Sequence, residues 1–240
     1  MQDVDAQNLV VEYVLRRDKM IYRLKFEKRE EVKYIGHLDM MRTFTRCIKK
    51  TNLPIKFSSG FNPRVQIAFA LPLAVGVTSE SEYMDLELNG EPEVEEVLKE
   101  LKKVMPEGFK MLTCEKLDKP KSLMSLVQEA IYEVNALVNL DDINDTIAKV
   151  KEEFDKEQLL VTKQSKNGQE EEIDIKPLII DYKVEEITYS SFCITVHSFA
   201  GSKKNLNPNF IMEVIYKAIT KDAVEDYNIH RKELILEKLT

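Results

Sequence analysis

Cysteine is scarce in this 240-residue chain, and its three copies, Cys47, Cys114 and Cys193, lie far apart. That spacing leaves no CxxC pair, no clustered metal knuckle and no disulfide framework, so each thiol reads as a buried or half-buried free thiol behaving as a small hydrophobe. It also excludes the tight three-cysteine motif that anchors a catalytic iron–sulfur centre, whose thiolates must fall within a few residues of one another. No apolar run approaches the ~18 to 20 residues of a transmembrane helix, and the start MQDVDAQNLVVEYVLRRD lacks the basic-then-apolar order of a secretory signal. These absences lead us to expect a cytoplasmic protein with no metal, no cofactor and no membrane attachment.

What is present is a chain with 43% hydrophobic residues, long enough for two compact domains. The formal net charge of −7 conceals a split, because Lys19 to Val75 holds twelve basic residues against four acidic ones. Such a segment either faces a polyanion or pairs with the acidic remainder of its own fold.

Residues 1–19 are polar and charged and read as an extension. IYRLKFEKR (21–29) alternates as a strand, with Tyr22, Leu24 and Phe26 on one face. HLDMMRTFTRCIKKTN (37–52) carries a helical apolar stripe through Phe44, Cys47 and Ile48. Arg42, Arg46, Lys49 and Lys50, at i, i+4, i+7 and i+8, share its other face. Short β-prone pieces follow at 55–58 and 65–70, then the alternating EYMDLEL (82–88), a helix at 92–106 framed by prolines, and a strand at 109–117.

The second half repeats the plan: a strand at 130–139, a helix capped by Asp141 or Asp142, a hairpin turning at Asn167-Gly168, a strand or hairpin at 184–199, a helix opened by Asn207-Pro208, and a closing strand. The order implies an α+β protein of two tandem ferredoxin-like (βαββαβ) domains with antiparallel sheets, at 20–120 and 125–240, the second with an additional hairpin.

Three segments carry candidate chemistry. In FSSGFNPR, Ser59, Gly60, Phe61, Asn62 and Arg64 form either a binding loop, with Phe61 for stacking and Arg64 for a phosphate, or a structural turn with Phe61 buried. It has neither the Lys-Ser/Thr of a Walker loop nor the glycines of a dinucleotide fingerprint. In YIGHLDMMR, His37 and Asp39 stand at a helix mouth beside Arg42, as an acid–base pair, ligand contacts or ordinary caps. In GSKKNLNPNF, Lys203, Lys204 and Asn207 lead into a helix, as an anion site or plain helix initiation. His197 and His230 fall in predicted strands, without acidic partners at metal-ligand spacing.

YIGHLD, SSGFNP, the LPLAVGVTSESEYMDLEL run from Leu71 to Leu88 and GSKKNLNP together resemble the bacterial radical-SAM-linked proteins, a family of unknown function, over roughly Met20 to the C-terminus. The chain departs from that pattern at Gly36, where serine is common, and at Arg64-Val65, where His-Pro is common. The replacement argues against a required acid–base histidine there and leaves anion contact intact. The resemblance implies a radical-SAM protein as partner. Combined with the basic segment, it leads us to expect an accessory module presenting RNA or another anionic substrate. The alternatives are a small enzyme with a His37, Asp39 and Arg64 pocket, or a protein-interaction scaffold.

Overall fold

A computed structural model describes residues 19–118, 120–164 and 167–237; apart from Lys19, the expected extension lies outside them. The alternation of the first apolar segment builds β1 (Lys19–Lys28), whose Tyr22, Leu24 and Phe26 are fully buried. The 3–4 spacing after it builds α1 (His37–Ile48), which lays Met40, Phe44, Cys47 and Ile48 on the sheet. Phe44 is the hub of this layer, with ring centroids 5.0 Å from Phe26, 5.2 Å from Phe69 and 5.1 Å from Phe109. Next come β2 (Ile67–Phe69), β3 (Val77–Asn89), α2 (Val94–Val104) and β4 (Phe109–Leu117).

A short helical turn, α3 (Leu123–Leu126), leads into β5 (Val127–Val138). In α4 (Ile143–Asp155) the cap is Asp142, which accepts from the Asn144 N–H at 2.9 Å and the Asp145 N–H at 3.2 Å. The hairpin of β6 (Leu160–Gln164) and β7 (Glu170–Asp174) is a separate two-stranded sheet, and Gly168 in its turn takes φ +77°. The chain finishes with β8 (Ile179–Thr188), β9 (Ser191–Phe199), α5 (Asn209–Ile219) and β10 (Val224–Leu236).

Eight strands form one sheet in the order β4-β1-β3-β10-β5-β9-β8, with β2 also on β3. The neighbours are antiparallel except at the centre, where β10 runs parallel to β3 through Val77↔Ile229, Thr78↔His230 and Ser79↔Arg231. Separate antiparallel sheets were expected; the reason for one sheet is the length of β3. It begins five residues before the alternating EYMDLEL and extends past the short β2, and β10 covers the edge left open. Two apolar cores lie under this sheet, one around Phe44 and one around Tyr132, Phe154 and Ile215. Among the described residues no helix is long and apolar enough to cross a membrane.

Candidate functional site

The FSSGFNPR segment folds as a tight loop closed at its base. Phe57 bridges to Val65, the Ser58 N–H donates to the Arg64 carbonyl at 2.8 Å, and the Arg64 N–H donates to Ser58 Oγ at 3.0 Å. Gly60 sits at φ +113°, a conformation L residues avoid. Ser59, Gly60, Asn62, Pro63 and Arg64 are exposed, and Phe61 at the tip is wholly exposed. The loop tip therefore presents a benzyl group to solvent on a backbone-locked turn.

This loop stands at the C-terminal end of α1. Lys49 Nζ lies 5.9 Å from the centroid of the Phe57 ring, and Arg42, Arg46, Lys49 and Lys50 are all exposed on that helix and its end. Arg42 is held by Asp39 at 2.9 Å. Among the described residues no carboxylate pairs with Arg46, Lys49, Lys50 or Arg64. The cationic surplus of this segment is therefore partly free.

His37 is at the other end of α1. Its half-buried ring meets Phe69 edge-on at 5.7 Å, and its buried Nδ1 has no hydrogen-bond partner among the described residues. Arg64 precedes Phe69 by five residues of extended chain, about 16 Å at ~3.3 Å per residue. The structure thus brings the loop to the basic face of α1, whereas His37 and Asp39 stand apart from Gly60, Asn62 and Arg64. The expected His37, Asp39 and Arg64 pocket is not assembled.

In the second half, Lys203 and Lys204 are exposed, with Lys204 Nζ 4.6 Å from the Phe199 ring centroid. The mouth of α5 is not a free anion site. Asn207 Oδ1 accepts from the Asn209 N–H at 3.2 Å, the Asn207 carbonyl from Phe210 at 3.0 Å, and the Pro208 carbonyl from Ile211 at 3.1 Å, which leaves its first amides occupied. Asn207 acts as a cap, and the lysines stand beside a different cleft.

A family model described as "Uncharacterized protein conserved in bacteria (DUF2344)" matches residues 21–208, which span the FSSGFNPR loop, the whole of β3 and the GSKK segment. The chain belongs to that family. No curated protein matches it. Among solved structures, a chain of a Cbf5-Nop10-Gar1 complex aligns at TM-score 0.44 and 10% identity, over 95% of this chain and 50% of that one. A protein from Galdieria sulphuraria aligns at TM-score 0.25 and 10% identity, over 89% of this chain and 99% of that one. This chain spans half the length of the former, and neither score supports an argument about activity.

The DUF2344 chain also holds a buried ionic centre that sequence reading missed. Arg231, 1% exposed, donates from Nη1 to Glu82 Oε1 at 2.8 Å and to the Leu71 carbonyl at 3.4 Å, and from Nη2 to the Tyr132 hydroxyl at 3.3 Å. Lys28, 2% exposed, donates to the Lys33 carbonyl at 2.9 Å, and burial lowers its pKa despite the attraction of Glu82. On the other face of β3, Asp85 takes a bidentate bond from Arg23 at 2.8 and 2.9 Å. The signal was Glu82, which the period-two alternation places on the same face as Met84, Leu86 and Leu88. The Glu82–Arg231 pair joins the two halves of the chain, and the Arg23–Asp85 pair ties β1 to β3 within the first. His197 and His230 also have partners: His197 Nε2 lies 2.7 Å from Glu129 Oε2, and His230 Nδ1 shares a 2.8 Å hydrogen bond with the Thr78 hydroxyl.

Proposed function

We propose that this chain is an accessory module that binds RNA or another anionic substrate, built from two ferredoxin-like units, and that it works with a radical-SAM protein. The observation that carries the binding role is Phe61, wholly exposed on a closed loop beside the unpaired cations of α1. An aromatic platform with adjacent cations suits single-stranded nucleic acid, where bases stack and phosphates meet Lys and Arg. The ferredoxin-like reading is supported by the strand order, β4-β1-β3-β2 in the first half and β10-β5-β9-β8 in the second. The radical-SAM partner rests on the motif resemblance.

A fluorescence titration of single-stranded and hairpin RNA across salt tests the binding role. Four contacts, from Arg46, Lys49, Lys50 and Arg64, give a single-strand slope of log K against log salt of about −2.8 at ~0.7 per phosphate. Replacing Arg46, Lys49 and Lys50 by Gln flattens it by about 2. Phe61→Ala weakens binding by about fivefold or more, the loss of one stacked base. Binding insensitive to salt and to all four changes overturns the reading.

A specific patch favours a protein contact at the opposite end of α1. Tyr34, Leu38 and Val75 are 74%, 68% and 57% exposed, with Val75 Cγ2 3.8 Å from where a Cβ on Gly36 would stand. We assign this patch to the radical-SAM protein. Leu38→Glu is expected to abolish its co-purification and leave RNA binding unchanged; retention of the partner sinks this assignment.

A further inference from the structure

We propose a second ligand site, specific for a phosphate group, in the cleft between the start of β5 and the loop after β9. The cleft has a volume of about 330 Å³ and is lined by Ser125, Val127, Gln128, Phe199, Ala200, Ser202, Lys203 and Lys204. Lys203, Lys204, Ser202 and Gln128 bring side chains able to donate to its walls, and no carboxylate lines it. This is notable in residues 121–240, which hold twenty-two acidic residues against fifteen basic ones. The nearest acids of the flanking strands are engaged elsewhere, Glu129 with His197 at 2.7 Å and Glu237 with Lys121 at 3.1 Å.

The cleft is held in shape before any ligand arrives. The Ala200 N–H donates to the Gln128 carbonyl at 2.9 Å, and Gly201 turns the chain at φ +126°. A Cβ on Gly201 would stand 2.6 Å from the Val127 carbonyl oxygen, so only glycine permits this approach of loop to strand. Lys204 is braced over the Phe199 ring. Lysine binds phosphate as a point charge, and two adjacent lysines on a fixed loop suit a dianionic or bridging phosphate better than a carboxylate, which presents less charge.

The cleft adjoins, through the turn at Ser122 to Ser125, a hollow that reaches the first half of the chain. Gln66, Ile67 and Ala68, which follow Arg64, share a surface hollow with Asp85, Glu87, Lys121 and Ser122, and Ser125 of the same turn lines the cleft. The phosphate group can come from a nucleic-acid strand or from a free phosphate compound. The site itself does not depend on the RNA reading.

The test is amide NMR on the full chain titrated with sodium pyrophosphate at constant ionic strength, repeated with a 5′-phosphorylated RNA oligonucleotide and its unphosphorylated form. Saturable shifts are expected at Gly201 to Lys204 and at Gln128, with affinity about tenfold weaker for each of Lys203→Gln and Lys204→Gln, both at exposed positions, with the amide spectrum of each variant checking that the fold is kept. Saturation by pyrophosphate identifies a free phosphate compound as sufficient; saturation by the phosphorylated strand alone identifies the strand. Absence of saturable shifts at these residues with every probe, or equal affinity in the double Gln variant, overturns the proposal. In either case the salt slope at the Phe61 loop, read separately, decides the RNA reading.

Discussion

Glu82→Gln isolates the electrostatics of the junction. The substitution keeps shape and hydrogen-bonding capacity but leaves two buried cations, Arg231 and Lys28, without their anion. Breaking a buried pair in this way costs about 3–5 kcal/mol, and for a chain of this size each kcal/mol lowers Tm by about 2–4 °C. We expect a Tm loss of about 6–20 °C, read by circular dichroism at pH 7. Part of that loss returns on raising the pH. A lysine whose folded-state pKa lies below its unfolded value binds fewer protons when folded, so stability rises with pH between the two values. Lys28 already has a lowered pKa, and losing Glu82 lowers it further, so the variant gains stability relative to wild type as pH rises from 7 toward the ordinary lysine range. Arg231 keeps its charge, and the recovery is incomplete. A double variant, Glu82→Leu with Arg231→Met, is expected to regain part of the loss, because the apolar pair removes the unpaired Arg231 charge while Lys28 still lacks its anion. A Glu82→Gln melt within about 2 °C of wild type, with no gain at high pH, refutes the reasoning.

Gly201→Ala and Gly60→Ala separate crowding from backbone conformation. Both sites have positive φ, yet only the first has backbone in the way, so urea melts should show a loss of about 2 kcal/mol or more for Gly201→Ala and about 1 kcal/mol for Gly60→Ala, which has nothing within 4 Å. Phe61→Ala, at a wholly exposed position, should alter stability by less than about 0.5 kcal/mol. Burial, with Glu115 and Glu95 nearby, pushes the Cys114 thiol up to about 12, so iodoacetamide at pH 8 should modify it only after denaturation, as read by mass spectrometry. Prompt modification of the folded chain would show that Cys114 is not shielded as described.

Local rules were legible where one face of an element is buried. The stripe through Phe44 and Ile48, the Asp142 cap and the Gly168 turn follow from spacing and from residue chemistry. The first strand runs from Lys19 to Lys28 where 21–29 was expected, a difference confined to its ends. What escaped was β3, because the alternation of EYMDLEL implies one wet face. Val77, Thr78, Ser79, Ser81 and Glu82 are instead buried on both faces of the strand, through partners far away in sequence: Glu82 meets Arg231 across 149 residues. No local pattern encodes such a meeting. The candidate loop was legible as a loop, and its exposure settled the choice between a buried and a presented Phe61. Its neighbour was not legible, since whether Phe57 reaches Lys49 or His37 depends on the direction of β2 against the helix above it.

The parallel seam between β3 and β10 has a temporal consequence. During synthesis β3 emerges complete at Asn89, but the strand that covers its first residues comes near the end of the chain, and the arginine that neutralises Glu82 follows it by 149 residues. At ~5–20 residues per second the nascent chain waits about 7–30 s with Glu82 near an unmatched edge. That interval is long enough for another nascent copy, or a chaperone, to meet the open edge first.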